Sequence, residues 1–161
     1  MRKSATSPKE LPSLNEILSI SGLEFMEKIQ NGDLPIAPIA EVLNYNLISV
    51  KPGEVIFRGI PTFQTMNPMG TIHGGWYGTL LDSAMGCAIM TRVNKGFVYT
   101  TLEYKINIIK AIPLDMEVDT IGTTTHVGRS TGTAIGQIIG SKDKKIYAMG
   151  STTCIIMKPS K

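Results

Sequence analysis

The sequence predicts an α+β fold in which one long central helix is wrapped by a curved antiparallel sheet of about six strands. Three observations support this fold class. The segment 74–90 places apolar residues at helical spacing on nearly every side. The segments 46–60 and 101–156 are instead rich in β-branched residues, often with a period of two. A helix this apolar must be buried, and the strands before and after it are the elements available to cover it.

Length and composition indicate one ordinary domain. The chain has 161 residues, of which 42% are hydrophobic and 18% charged. We divide it into an N-terminal tail with a short helix (1–20) and a single domain (21–161). The net charge of +3 is dispersed along the chain, with no basic stripe that would indicate a nucleic-acid partner. No stretch approaches the roughly 20 apolar residues that span a bilayer, so we expect no membrane partner.

Cysteine, histidine and the N-terminus bear on the cellular location. The first ten residues carry positive charge without the apolar core of a secretory signal, and they are expected to form a frayed tail. Cys87 and Cys154 lie in apolar stretches and are expected to be reduced, buried thiols. His73 and His126 show no ligand-like spacing, so no metal site is expected. Together these features predict a cytoplasmic protein.

The first third of the chain predicts helices. Ser13 and Ser21 are each followed by glutamate at the third position, which is the pattern of a capping box. The second box begins a helix at about residue 22, and Gly32 is placed to end it near residue 31. The following segment 34–38 contains two prolines and is predicted to be a rigid connector.

The predicted strands fall into two groups. A hairpin joins 46–50 to 54–60 through the turn Lys51-Pro52-Gly53, where proline sets the backbone and glycine permits the turn. Beyond Gly96 the alternation over 101–108 is unbroken, and three further β-rich segments follow it. Because the connections are short, an antiparallel meander of four consecutive strands is predicted, with bounds of about 101–108, 116–125, 131–139 and 146–156.

One acidic residue, Asp82, stands in the apolar helix. A carboxylate in such surroundings is unfavourable unless it has partners or meets a cavity. Gly78 and Gly86 lie one turn on either side of it, on the same helix face, although glycine costs about 1 kcal/mol relative to alanine inside a helix. We interpret this face as a groove that holds a ligand against Asp82. The alternative is that Asp82 is a structural residue of the core whose carboxylate is hydrogen-bonded within the protein.

The segment before this helix, Asn67 to Gly75, ends in His73-Gly74-Gly75. Two glycines at a helix start let a ligand approach unpaired backbone N–H groups at the positive end of the helix dipole. This pattern predicts an oxyanion site. At 1.5 Å per residue Gly74 and Asp82 lie about 12 Å apart along one helix, so they can meet at one carbonyl only if two antiparallel helices of a dimer each contribute one of them.

Four segments together carry a family resemblance: 67–75, 80–86, 100–107 and 126–129. They resemble the hotdog-fold acyl-CoA thioesterases of the PaaI-like, phenylacetic acid degradation-related branch of the 4HBT superfamily. The resemblance extends over about residues 20–157, and its most specific part is His-Gly-Gly followed after six residues by aspartate. It implies a homodimer paired through the sheets, with active sites at the interface, and commonly a dimer of dimers (homotetramer).

The resemblance also implies roles for catalytic residues. Asp82 looks like the carboxylate that acts as base toward water or as nucleophile on the thioester. Gly74 looks like the N–H donor to the thioester carbonyl, supported by His73. Asn67 looks like the polar partner that positions water or substrate, and Thr101 matches the position of a hydroxyl near the water. His126 is expected to be a strand-end residue.

Substrate binding is expected at the helix start and at one turn. The resemblance implies that Arg129, in the turn with Ser130, contacts the phosphates of coenzyme A, and Gly75 is expected beside the thioester. An apolar pocket is predicted from five side chains that would take an aromatic or medium-chain acyl group, namely Met66, Met69, Trp76, Tyr77 and Met85. The acyl group itself is not specified.

The chemistry implied by the resemblance needs no metal or cofactor, because coenzyme A is part of the substrate. A thioester carbonyl is electrophilic enough for a positioned carboxylate and an oxyanion donor to suffice. Two other functions remain open on this fold. One is a non-catalytic acyl-CoA-binding module, which would not need Asp82. The other is an enoyl-CoA hydratase or dehydratase, which would require an acid–base pair that His73 and His126 do not obviously provide.

Overall fold

The computed structural model describes residues 4–159. One antiparallel sheet of six strands packs against a long helix, which confirms the α+β hotdog architecture. The central helix is α4 (Gly74–Met90), and its bounds match the predicted segment. The strands are β1 (Tyr45–Lys51), β2 (Glu54–Gly59), β3 (Val98–Ile108), β4 (Val118–Val127), β5 (Thr131–Gly140) and β6 (Ile146–Met157).

Helix α4 forms the centre of the core. Eleven of its residues are buried, including Leu80, Leu81 and Ala84 at 0% exposure. The sheet approaches it closely at Gly122 of β4, where any Cβ atom would collide with the carbonyl group of Ala84. Among the described residues, no helix is long and apolar enough to cross a membrane.

The sheet order corrects the predicted meander. The order is β1-β2-β4-β5-β6-β3, so β3 pairs with β6 and not with β4, the next strand in the chain. Alternating hydrophobicity specifies which face of a strand is buried but does not specify its neighbours. The hairpin of β1 and β2 is confirmed, with Gly53 at φ +81° in its turn. The two edges of the sheet are therefore β1 and β3.

Strand β3 also breaks the predicted alternation. Its pairing with β6 shifts register between Thr101 and Glu103, which marks a β-bulge at Leu102. Because of this extra residue, Thr101 before the bulge and Tyr104 after it both face α4. An unbroken strand would have turned one of the two away from the helix.

The N-terminal segment packs onto the domain through three helices, α1 (Leu14–Leu18), α2 (Gly22–Asn31) and α3 (Pro38–Val42). The capping box at Ser13 is complete, and the Ser21 side chain accepts a hydrogen bond from the Glu24 N–H. Two predictions are wrong here. Ser4 forms a parallel bridge with Ile36, so the tail is docked from that residue on, and Pro38 starts a helix that was predicted as part of a connector.

Candidate active site

One strip of α4 is left partly accessible by the curved sheet. From Trp76 to Met90 only Thr79, Asp82, Ser83 and Cys87 are not buried. The Ser83 hydroxyl lies 2.9 Å from the Tyr45 hydroxyl of β1, and Asp82 is bonded to β3. This strip, which we call the seam, therefore runs along the helix between the two edge strands of the sheet.

The carboxylate of Asp82 is held by β3. The Thr101 hydroxyl donates a hydrogen bond of 3.0 Å to Asp82 Oδ1. The buried Cys154 thiol in turn donates a weak bond to Thr101 Oγ1, with a sulfur to oxygen distance of 3.9 Å. The Thr101 oxygen can accept this bond while its own proton is directed to Asp82. Asp82 is thus oriented by a side chain from another element and remains partly accessible to solvent.

The two glycines beside Asp82 do not leave an open groove, so that part of the prediction is wrong. A Cβ atom at position 78 would meet the Tyr104 hydroxyl oxygen at 3.4 Å, and one at position 86 would meet that of Tyr99 at 2.9 Å. Each glycine thus makes room for a tyrosine of β3. The two rings flank Thr101 and bring it within reach of Asp82.

The start of α4 provides one free donor. His73 is the N-cap residue, and its Nδ1 accepts a bond of 2.9 Å from the Gly75 N–H. The Gly75 N–H is therefore occupied, and the contact of Gly75 with substrate stays a prediction. Within residues 4–159, no acceptor is bonded to the Gly74 N–H. As one of the orphan donors of a helix start, this N–H is available to a ligand oxygen.

Asn67 shapes the loop that leads into α4. Its Oδ1 accepts hydrogen bonds from the N–H groups of Met69 and Thr71, at 3.0 and 3.2 Å. Its Nδ2 donates to the Thr71 hydroxyl at 2.8 Å. The amide thus fixes the turn that leads to His73. The contact of Asn67 with water or substrate stays a prediction.

Only part of the apolar pocket predicted around the helix start is formed, because Met66 and Trp76 line a cavity of about 370 Å³ there and the other three side chains do not. The side chains of Trp76 and Tyr77 are each 2% exposed, and Met85 is fully buried in the core. The Trp76 indole N–H donates to the Leu43 carbonyl oxygen at 2.9 Å. Met69 lies at the opposite extreme, 88% exposed in the loop. Helical spacing alone does not distinguish core side chains from pocket-lining ones, which explains the error.

Arg129 and Ser130 lie in the exposed turn between β4 and β5. The Ser130 carbonyl accepts a hydrogen bond from the Ile156 N–H, which fixes the turn. Arg129 lines a small cavity of about 90 Å³ together with Arg92, a cation that the sequence analysis missed. Arg92 follows the end of α4, so this basic pair lies at the opposite end of the helix from Gly74. His126 is an exposed residue near the end of β4, as predicted.

The far end of the seam contains a second group of residues that the sequence analysis did not connect. Cys87 as a whole is partly accessible, whereas Cys154 is buried as predicted. The Cys87 thiol itself is surrounded by protein, and this burial raises its pKa to about 12, although a hydrogen bond with Tyr99 lowers the pKa. Burial also raises the pKa of Tyr99 well above its ordinary value. Both groups are therefore neutral at pH 7, and Cys87 is not a nucleophile. Cys87 and Tyr99 meet only because β3 lies beside α4, and the sequence alone does not predict that placement.

The comparisons with known proteins agree with this geometry. Residues 69–146 match the family model of the thioesterase superfamily, 4HBT. The matched segment contains α4, β3, β4 and β5, and therefore Gly74, Asp82 and Thr101. A search of curated protein sequences finds no match. Over this segment, which is just under half of the chain, the protein is similar to the thioesterase superfamily.

Solved structures show the same fold. The E. coli PaaI protein from the phenylacetic acid degradation operon superimposes with a TM-score of 0.72 at 18% identity, covering 84% of this chain and 94% of that one. A phenylacetic acid degradation-related protein from Ralstonia eutropha gives 0.73 at 20% identity, covering 81% and 98%. A hypothetical thioesterase protein from Streptococcus pneumoniae, solved with coenzyme A, gives 0.65 at 24% identity, covering 73% and 89%. The chain thus has the hotdog fold of these proteins.

Proposed function

We propose that this protein hydrolyses an acyl-CoA thioester to the free acid and coenzyme A. The observation that carries the proposal is the Asp82–Thr101 pair on the seam of an otherwise buried helix. A partly accessible carboxylate with one fixed hydrogen-bond donor is suited to act as a base or as a nucleophile. The free N–H of Gly74 is available to donate a hydrogen bond to the thioester carbonyl oxygen as negative charge develops on it.

In the general-base form, Asp82 removes a proton from water as the water oxygen attacks the thioester carbonyl carbon. The Gly74 N–H stabilises the oxyanion, and collapse of the tetrahedral intermediate breaks the C–S bond. Coenzyme A leaves as a thiolate and takes up a proton. In the nucleophilic form, an Asp82 oxygen attacks the same carbon and expels the thiolate, and water then hydrolyses the resulting anhydride. Thr101 orients the Asp82 carboxylate in both forms.

The active sites of this proposal lie between two protomers. Gly74 and Asp82 are eight residues apart on one straight helix, about 12 Å along the axis, so one chain does not place both on one carbonyl. Strand β3 is a sheet edge of 11 residues with exposed apolar side chains, among them Leu102 at 60% and Tyr104 at 47%. Such an edge is suited to pair with a second copy of itself. A further association of two dimers is part of the proposal.

Arg129 is the proposed contact for the phosphates of coenzyme A. Its guanidinium is exposed and shares a small cavity with Arg92, so two cations are available to a phosphate group. The exposed side chain of Met69 and the loop 67–71 are the proposed contacts for a ligand at the helix start. Neither contact requires a metal or a resident cofactor.

The direct test is release of free thiol from a panel of acyl-CoA esters by the purified protein, with Asp82→Asn as the matched variant. Turnover that depends on Asp82 is expected. An acyl-CoA that binds tightly to the wild-type protein without thiol release would instead support a non-catalytic binding module. The seam with Thr101 bonded to Asp82 favours the enzyme, because a binding module has no need of an oriented carboxylate there.

A further inference from the structure

A large apolar cavity lies at the end of the seam, outside the chemistry described so far. Its volume is about 420 Å³, within the range of small-molecule sites. One wall comes from α4 and β3 and includes Cys87, Met90 and Tyr99. The other wall comes from the N-terminal segment and includes Ile17, Phe25 and Ala37. We call this cavity the chamber.

The chamber begins close to Asp82 along two separate elements. On α4, Cys87 lies five residues beyond Asp82, which is about 7.5 Å along the helix axis. On β3, Tyr99 lies two residues before Thr101, which is about 7 Å along the strand. Since Thr101 is bonded to Asp82, both paths place the near wall of the chamber about 7 Å from the Asp82–Thr101 pair, measured along the helix or the strand.

The lining of the chamber identifies the chemistry of its occupant. Of its twelve lining residues, only Cys87 and Tyr99 have a polar side-chain atom, and these two are hydrogen-bonded to each other. Among residues 4–159, no charged side chain lines the chamber. The described lining thus offers no free side-chain donor or acceptor for a hydroxyl or carboxyl substituent, and an apolar group is the matching ligand.

The volume distinguishes between the two apolar groups expected from the sequence. An engineered protein cavity of about 150 Å³ is sufficient to hold benzene. The chamber has nearly three times that volume, so a single aromatic ring would leave most of it empty. A flexible aliphatic chain can fill it.

We propose that the chamber binds the acyl group of the substrate, and that this group is a medium-length aliphatic chain rather than a single aromatic ring. The inference rests on the proposed thioesterase function and specifies its substrate class. The N-terminal segment, which precedes the part of the chain matched by the family model, would then determine acyl specificity. Asp82 would act at the mouth of the chamber.

The test measures kcat/KM for butyryl-, hexanoyl-, octanoyl-, decanoyl- and phenylacetyl-CoA by thiol release. For chains that enter the chamber, kcat/KM is expected to rise about fourfold per methylene, the equivalent of ~0.8 kcal/mol. Octanoyl-CoA should exceed phenylacetyl-CoA. A flat profile, or preference for phenylacetyl-CoA, would overturn the assignment.

Two variants change the chamber in opposite directions. Ala37→Phe adds a ring at an exposed position on the rim, so it does not overpack the core. It should lower kcat/KM for octanoyl-CoA at least tenfold and leave butyryl-CoA within twofold. Phe25→Ala enlarges the chamber and should move the optimum to longer chains. Ile39→Phe, an exposed position two residues from Ala37 and outside the lining, is the matched control.

A binding measurement separates the two proposals. If the wild-type protein releases no thiol from any ester, the proposed function fails, and calorimetry with free decanoate then tests the chamber alone. Binding that is lost in Ala37→Phe and kept in Ile39→Phe would support the chamber as an aliphatic-chain site. Absence of decanoate binding, or binding unaffected by Ala37→Phe, would overturn it. If thiol is released but neither chamber variant alters the chain-length profile, the function stands and the chamber assignment fails.

Discussion

The start and the middle of α4 differ in what they present to a ligand. At the start, Gly74 offers a backbone donor with no side chain, and His73 occupies the neighbouring N–H so that one remains free. In the middle, Asp82 offers a side-chain acceptor that Thr101 holds in place. The start is open, whereas the middle is enclosed by tyrosines of β3. In the proposed mechanism one helix therefore carries two half-sites, the Gly74 donor and the Asp82 carboxylate, that are too far apart to act together within one chain.

The largest effect is expected at the middle of the helix. Asp82→Asn keeps the shape of the side chain but removes its capacity as base or nucleophile, so kcat should fall by 10²-fold or more. The variant should unfold at the temperature of the wild-type protein. Asn67→Ala is the comparison. Asn67 acts on the loop before the helix, so its replacement should lower kcat by a smaller factor. A larger loss for Asn67→Ala would reverse the roles assigned to the two residues.

Removing the donor at the start should also lower kcat by about 10²-fold. Gly74→Pro deletes the free N–H at the first helical position, where proline is tolerated. His73 has φ −62° and ψ 137°, a conformation compatible with a following proline. Gly74→Ala is the control, since it keeps the N–H and its Cβ would meet Ile108 Cδ1 at an ordinary 3.5 Å. Equal activities of the two variants would place the oxyanion donor elsewhere.

Mixed dimers test whether the two half-sites come from different chains. Asp82→Asn and Gly74→Pro proteins are refolded together, so that random pairing gives half mixed dimers, each with one intact site of two. Activity should recover to about a quarter of the wild-type rate. If mixed dimers form without recovery, Gly74 and Asp82 act in one chain and the comparison drawn above is wrong.

The sequence predicted the helix that carries both proposed half-sites but not the contacts that arrange them. Residues 74–90 were identified as a buried helix because their apolar pattern has no polar face, and Gly74 and Asp82 were found within it. The bulge at Leu102 was not predicted. One extra residue leaves the alternation of apolar and polar side chains intact on either side of it, so the local sequence shows no break. The pairing of β3 with β6 depends on contacts distant in sequence, and so the Tyr99 and Tyr104 rings could not be assigned to Gly86 and Gly78.

A smaller effect is expected from the hydroxyl that orients the middle half-site. Thr101→Val keeps the shape of the side chain and removes its hydrogen bond to Asp82, which should lower kcat about tenfold. Thr100→Val makes the same change at an exposed neighbour and should have no effect. Thr101→Ser, which keeps a hydroxyl, should restore most of the activity. A Thr101→Val enzyme with wild-type kcat would show that Asp82 needs no orienting donor.

The smallest effect concerns stability at the chamber end of the seam. Burial raises the pKa of Cys87 from an ordinary value of 9.0 to about 12. A raised pKa in the folded protein contributes stability that is fully present below pH 9 and is lost between pH 9 and 12, because the unfolded thiol ionises first. Between pH 8 and 10.5, this group should lower the free energy of unfolding by about 2 kcal/mol. Denaturant unfolding of wild-type and Cys87→Ala proteins at both pH values measures the difference. If the two proteins lose the same stability over this range, the Cys87 thiol ionises in the folded protein as it does in water, and the far end of the seam is as open to solvent as its start.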